Sequence, residues 1–329
     1  MKKLLQINGF LVGVLVAVGL AWLLPDLGAK GGLLRSEITT KIGVFIIFII
    51  QGLTLPTNEL KKGLMQVKIH AVCQLSIFVW SPILLFGLLL VADLFLSIPE
   101  DLRIGFLYLS ILPTTVSTAI VFTGKAEGNV AGALFNTSVA NVLGVFIVPV
   151  FVTLVLGSQA SAAGEGDVLS LLLKIAQIIL LPLILGQVLR IWLADWAKGR
   201  KKTLSKANVY IIYFMIYAAF CNSVKNGVWN SFGLDVVLIA FGISLVFLAF
   251  MTSSVYSFAR FLKFNKPNQA TVVYCGAQKT LAAGVPMAGS IFTTGSPELG
   301  LVLLPIMFFH PMQILLGSYL MALFEEPGG

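Results

Sequence analysis

The chain has 329 residues, 58% of them hydrophobic and 11% charged, with a formal net charge of +8. A soluble domain carries about 25% charged residues. That shortfall points away from a water-soluble enzyme and towards an integral membrane protein, and the excess of positive charge is unevenly placed in a way that reports topology rather than a nucleic-acid footprint.

Charge-free apolar runs cover 4–25, 42–58, 69–92, 104–124, 128–164, 207–224, 236–259 and 299–324. About 18 consecutive apolar residues suffice for a spanning helix. The alternation over about 10 residues that marks a membrane β-strand is missing. The expected fold is therefore all-α and integral to the membrane, with ten transmembrane helices near 5–24, 38–55, 69–93, 102–124, 128–157, 168–192, 206–225, 234–261, 268–293 and 297–323. Met1-Lys2-Lys3 and the following run mimic a secretory signal, but the run is long and no small-x-small site follows, so it is read as the first span. Breakers fill the connections: PDLGAKGG, SIPED, GSQASAAGEGD, KNGVWNSFGLD, NKPNQ and TTGSPE.

Placing both termini in the cytoplasm puts fifteen of the 22 basic residues inside and six outside, as the positive-inside rule asks. For a bacterial chain the membrane would be the inner one. The remaining cation is Lys279, inside the apolar ninth span. Trp22, Trp192, Trp196 and Trp229 fall near predicted interfaces, whereas Trp80 is expected to be packed. PTNELKKGL (56–64) reads as a basic interfacial connection, and KGRKKTLSK (198–206) as a cytoplasmic cluster able to meet anionic lipid. The three cysteines, Cys73, Cys221 and Cys275, sit in apolar runs and read as small buried hydrophobes. All fourteen acidic residues fall in loops or at helix ends, which argues against an Asp-based proton antiporter or a carboxylate-lined channel. No metal spacing and no nucleophile elbow occur, so neither an enzyme nor a resident cofactor is expected.

Two spans are unusual. The fourth carries Pro113 followed by Thr114, Thr115, Ser117 and Thr118. Proline removes a backbone donor, and the hydroxyls either repair a simple kink or line a break. The ninth carries Gly276, Gln278, Lys279, Thr280, Gly284 and Pro286. The two are fourth in each half of five, and an odd number of spans per half inverts one half relative to the other. The expected halves are 1–161 and 162–329. Paired interrupted helices at corresponding positions indicate an inverted-repeat transporter, with half-helix N-termini aimed at anionic groups.

QGLTL (51–55), CQLSIFVWSP in the third span, the proline-and-hydroxyl fourth span followed by GNVAGALFNTSVANV, the Gly-x-Gln of span nine and FFHPM in span ten together resemble the bile acid:sodium symporter family, solute carrier family 10. The GAQKT variant resembles the branch typified by its seventh member and the bacterial relatives of that branch. The resemblance implies a panel domain of spans one, two, six and seven and a core domain of the other six, with broken spans four and nine crossing in the core. It also implies two sodium ions beside the crossing and a solute between core and panel. Gln74, Ser117, Thr118, Thr137 and Gln278 match ion-site positions, Ala133 stands where a second span-five hydroxyl is expected, and His310 matches a substrate-facing residue. Tyr274 stands where the family has a glutamate shared by both sodium sites, and Lys279 where it has an asparagine. Pro311 replaces the polar residue after the histidine. Losing an anion and gaining a cation speaks against two bound sodium ions and leaves protons as the other candidate coupling ion.

Lys279 admits four readings. It snorkels into an aqueous cavity; its ammonium replaces a sodium ion as a tethered cation; it exchanges a proton and couples transport to pH; or it contacts an anionic solute directly. Its expected neighbours are Ser117, Thr118, Asn136, Thr137, Asn141 and backbone carbonyls at the breaks. Thr114, Thr115, Asn136, Asn141, Lys279 and His310 are the candidate solute contacts. Asn136 and Asn141 are five apart and so do not share one helical line. The expected function is secondary transport of a small organic anion across the lipid bilayer by alternating access. The alternatives are a sodium-coupled symporter of the usual family type and a membrane regulator of calcium handling that moves no solute.

Overall fold

The computed structural model describes the backbone of residues 2–54, 66–162, 168–227, 233–292 and 298–324, and the side chains of these apart from 2–11, 155–176 and 321–323. The interfacial connection over 56–64, Trp229 and the loop over 293–297 lie outside the described residues. Among the described residues all regular structure is helical: α1 (Lys2–Leu23), α2 (Pro25–Gly28), α3 (Ser36–Thr54), α4 (Val67–Leu75), a π-helical turn (Ser76–Trp80), α5 (Ser81–Ala92), α6 (Glu100–Ile111), α7 (Ser117–Lys125), α8 (Val130–Ala162), α9 (Val168–Gly199), α10 (Lys201–Lys225), α11 (Leu234–Phe261), α12 (Lys266–Gly276), α13 (Leu281–Ile291) and α14 (Leu299–Phe324). Seven helical segments of the described residues are long and apolar enough to cross a membrane: α3, the continuous α4–π–α5, α8, α9, α10, α11 and α14.

The predicted sixth and seventh spans, 168–192 and 206–225, are both longer than expected. Helix α9 runs on to Gly199 and α10 begins at Lys201, with only Arg200 between them (φ −112°, ψ 17°). The connecting residues are rich in Ala, Lys and Leu, which are good helix formers, so the helices continue past the apolar stretch that defines the spans. Trp192 and Trp196 are exposed near the end of α9, and Trp80 is half-buried with its Nε1 donating to Ser254 (2.8 Å). All three cysteines are buried.

The chain divides into two compact units. The first comprises Met1–Leu55, Val148–Val236 and Ala282–Leu303. Within it α3 packs on α9 through Gly52 and Gly186, where an added Cβ would run into the backbone of the facing helix: Leu183 O for Gly52 and Ile49 O for Gly186. Small residues allow such backbone approach in membrane helices. Gln187 Nε2 seals the contact by donating to Gly52 O (2.5 Å).

The second unit comprises Pro56–Ile147, Val237–Leu281 and Leu304–Gly329. Here Asn265 caps α12, its side chain accepting from Asn268 N (3.2 Å). Asn129 N donates to Thr271 Oγ1 (3.0 Å), fastening the start of α8 to α12. Lys68 Nζ donates to Leu262 O (2.7 Å) at the end of α11. All the candidate site residues belong to this unit.

Candidate functional site: a lysine on freed backbone carbonyls

Two prolines unmake the backbone hydrogen bonding around the site. Pro113 disfavours helical geometry at the residue before it, and Leu112 is extended (φ −60°, ψ 143°). Helix α6 stops at Ile111, residues 112–116 are non-helical, and α7 starts at Ser117. The carbonyls of Ser110 and Leu112 thereby lose the donors four residues on. The second proline is Pro82. In the π-helical turn Ser81 N donates to Ser76 O instead of to Ile77 O. The partner of Ile77 O in π register would be residue 82, and proline has no N–H to give. Ile77 O and Leu112 O are thus left without a main-chain donor, and Ser110 O keeps only the Ser81 hydroxyl, which donates to it at 2.7 Å.

Lys279 takes all three. Its Nζ donates to Ser110 O (2.6 Å), Leu112 O (2.9 Å) and Ile77 O (3.0 Å), and the residue is 0% exposed. An ammonium has three donors, so each is matched to one acceptor. A lysine near the bilayer centre costs about 2.5–3.5 kcal/mol on insertion scales. Hydrogen bonds to charged groups contribute about 1.5–3 kcal/mol each, so three of them are of the size needed to offset that cost.

The backbone that carries Lys279 is itself irregular. Helix α12 ends at Gly276, residues 277–280 are non-helical, and α13 starts at Leu281. The peptide groups here find partners outside the helix. Gln313 on α14 accepts from Lys279 N (2.8 Å) through Oε1 and donates to Lys279 O (2.7 Å) through Nε2. Thr280 N donates to Pro113 O (2.9 Å), joining the 277–280 segment to the 112–116 segment. His310 Nδ1 lies 2.8 Å from Gln313 Nε2 and 3.4 Å from Lys279 O.

The remaining candidate residues fall into smaller groups. Thr118 Oγ1 lies 3.0 Å from Thr115 Oγ1 and donates to Gln278 Oε1 (3.1 Å), which links α7 to the 277–280 segment. Asn141 Nδ2 donates to Thr114 O (2.9 Å), bracing the 112–116 segment from α8. Gln74 Nε2 reaches Asn136 O (3.1 Å) and Asn136 Oδ1 (3.3 Å). The two asparagines therefore serve different neighbours. Thr137 is buried and turned back on its own helix, donating to Leu134 O (3.2 Å). Ser117 opens α7 with its side chain exposed. Tyr274 is buried, and its hydroxyl donates to Gly317 O (3.1 Å). None of Ser117, Thr118, Asn136, Thr137 or Asn141 provides a side-chain oxygen to the ammonium; its hydrogen-bond acceptors are all main-chain.

Two buried acceptors, Gln74 Oε1 and Thr114 Oγ1, have no hydrogen-bond partner among the described residues. A cavity of about 10 Å³ lined by Tyr274, Ala277, Gln278, Gln313 and Gly317 has room for one water at most. No group of three His, Cys, Asp or Glu that could hold a metal ion occurs among the described residues.

Apolar helices of spanning length and a charged side chain built into backbone breaks define a multi-pass membrane protein with a polar centre. The sequence pattern of the SBF-like CPA transporter family matches residues 8–326. The chain belongs to that family and is a membrane transporter rather than an enzyme. It is similar to sodium/bile acid cotransporter 7 of Xenopus tropicalis, with 34% identity over 313 residues covering 94% of this chain and 90% of the relative. It is similar to the Escherichia coli (strain K12) protein YfeH, at 35% over 321 residues, 97% of this chain and 93% of the relative. The sodium/bile acid cotransporter 7 of Danio rerio is 32% identical over 314 residues, 95% of this chain and 92% of the relative.

Proposed function

We propose that the protein is a secondary transporter that moves a small organic anion by alternating access, with the Lys279 ammonium standing in for a sodium ion. In this reading the chain makes ten spans in two inverted halves. The α6–α7 segment forms the fourth span and the α12–α13 segment the ninth, each broken at its non-helical stretch. Spans one, two, six and seven act as panel and the other six as core, with both termini in the cytoplasm.

The observation that carries the proposal is the ammonium's set of three main-chain acceptors, Ile77, Ser110 and Leu112. Backbone carbonyls freed by proline are the oxygens that would otherwise ligate a hard cation. Here a covalently attached cation occupies them, so no ion has to be recruited to hold the segments together. Snorkelling is disfavoured because Lys279 is 0% exposed. Direct contact with an anion is disfavoured because all three donors are already used.

The solute's negative charge is left to the N-termini of α7 and α13, which carry partial positive charge. Thr114, Thr115, Asn141 and His310 lie beside them as polar contacts. Thr114 Oγ1, buried and without a partner among the described residues, is a place where a solute or water would restore a lost hydrogen bond.

A sodium-coupled mechanism is the second reading, favoured by the names of the sodium/bile acid cotransporter 7 relatives. Solute flux into proteoliposomes, with sodium replaced by choline, separates the two. The fixed-cation reading expects flux to persist in choline and to fall in Lys279→Met. Strict sodium dependence of the unmodified protein, with Lys279→Met unaffected, defeats it.

A further inference from the structure

The first compact unit contains a groove of about 640 Å³ between α1 and α10, with no counterpart in the site at Lys279. Val12, Val16 and Leu20 form one wall, while the rings of Tyr210, Tyr213 and Tyr217 form the other. Gly13 allows the walls to come together, since a Cβ there would run into the Tyr213 ring.

The groove is polar at one end and aromatic at the other. Among the described residues its mouth is Ser205 and Lys206, both exposed. Its far end is Tyr217, whose hydroxyl donates to Leu24 O (2.8 Å) and so ties the ring to the end of α1. At 1.5 Å per residue the distance along α10 from Lys206 to Tyr217 is about 16 Å. The hydrocarbon core of a bilayer is about 30 Å thick, so the groove is one leaflet deep.

Lys206 at the mouth ends a basic stretch of the chain. Lys198, Arg200, Lys201, Lys202 and Lys206 are exposed within nine residues. Arg200 lies over the Trp196 ring at 5.1 Å, an aromatic of the kind that sits at headgroup level. An apolar slot one leaflet deep, opening onto a basic cluster, has the shape and charge of a single lipid molecule. We propose that this groove binds an anionic glycerophospholipid, with one acyl chain lying between α1 and α10 and the phosphate held at Lys206.

The alternatives fit less well. The apolar runs of this chain hold no carboxylate, so a helix from a second copy would leave Lys206 without a counter-charge. A soluble anion would find polar partners at the mouth alone. The proposal does not depend on the role of Lys279.

The test is native mass spectrometry of the full chain, delipidated in detergent and titrated with dioleoyl phosphatidylglycerol or dioleoyl phosphatidylcholine. Phosphatidylglycerol should be retained several-fold more strongly. Lys206→Gln should reduce its retention about fivefold, the effect of one basic residue near a membrane surface, and leave phosphatidylcholine unchanged. Val16→Trp, at an exposed position on the groove wall, should block the slot and reduce both lipids. Circular dichroism would establish that both variants keep the helical fold. Equal retention of the two lipids, or retention indifferent to both substitutions, overturns the proposal. So does a Val16→Trp variant that dissociates a dimer while keeping its lipid.

Discussion

The side-chain amide of Gln313 grips the peptide unit of Lys279 at both ends, accepting from its N–H at 2.8 Å and donating to its carbonyl at 2.7 Å. A glutamine amide has the donor and acceptor needed to imitate a neighbouring backbone. In the non-helical 277–280 segment it replaces hydrogen bonds that a continuous helix would have made. The grip fixes where the Lys279 side chain begins, and the three carbonyls fix where it ends.

Gln313→Leu should therefore lower stability more than an ordinary core substitution of similar volume. It strands a buried N–H and a buried C=O, and each unsatisfied group costs about 1–3 kcal/mol. His310→Ala removes the ring beside Gln313 Nε2 but leaves both Gln313 bonds to Lys279 intact, and should lose less. Equilibrium unfolding in detergent, followed by circular dichroism, measures both. Equal losses would show that the two-point grip contributes nothing of its own.

Lys279 was legible in the sequence because a cation inside an apolar run admits few explanations. Its acceptors were not. They are backbone atoms, and only the consequences of Pro82 and Pro113 reveal them. Pro113 announced itself through the hydroxyls after it, whereas Pro82 in VWSPILL looks like an ordinary proline early in a membrane helix. Gln313 is equally hard to read from sequence. Its signal was a single amide three residues after His310, in a run otherwise apolar from Ile306 to Leu316 apart from that histidine. The helices α9 and α10 outrun their predicted spans for a related reason. Hydropathy marks where the apolar stretch ends, but a helix of Ala, Lys and Leu does not end with it.

The contact between α3 and α9 makes a steric prediction. A Cβ at Gly186 would meet Ile49 O, a backbone atom that cannot rotate away. Gly186→Val should force the helices apart and cost about 1–3 kcal/mol, the usual range for overpacking. Gly19, whose Cβ would have nothing within 4 Å among the described residues, is the control, and Gly19→Ala should be nearly silent. Thermal unfolding of the two variants side by side would reveal the difference. A stable Gly186→Val would mean that α3 and α9 pack less closely than described.

Asp93 and Arg103 make a pH prediction outside the spans. The guanidinium donates to both carboxylate oxygens, at 2.5 and 2.9 Å, and this hydrogen bonding holds the Asp93 carboxyl below its ordinary range. A carboxylate whose folded-state value is lowered contributes stability above its unfolded value of about 3.9. That contribution is lost as pH falls through the folded value. The pair is solvent-exposed, so its effect is small and screened by salt. The stability difference between the unmodified protein and Arg103→Gln should be constant from about pH 8 to 5 and shrink below about pH 4. A difference that changes between pH 6 and 8 would point to another titrating group.

The sharpest prediction concerns what replaces the ammonium once it is gone. Lys279→Ala removes the charge and leaves the oxygens of Ile77, Ser110 and Leu112 around the space it filled. Ser110 O keeps the Ser81 hydroxyl, but the oxygens of Ile77 and Leu112 then cost about 1–3 kcal/mol each if nothing satisfies them, so the variant should be less stable than the unmodified protein. A free cation that binds the folded state alone stabilises it by RT ln(1 + [L]/Kd). Sodium chloride should therefore raise the melting temperature of Lys279→Ala above its value in choline chloride at equal ionic strength. The unmodified protein, whose acceptors are already occupied, should melt at the same temperature in both salts. Lys279→Arg should not behave like the parent, because a planar guanidinium cannot aim three donors at oxygens converging on one point. A Lys279→Ala variant indifferent to sodium would mean that these carbonyls need the lysine's tether, and that the ammonium does more than stand in for an ion.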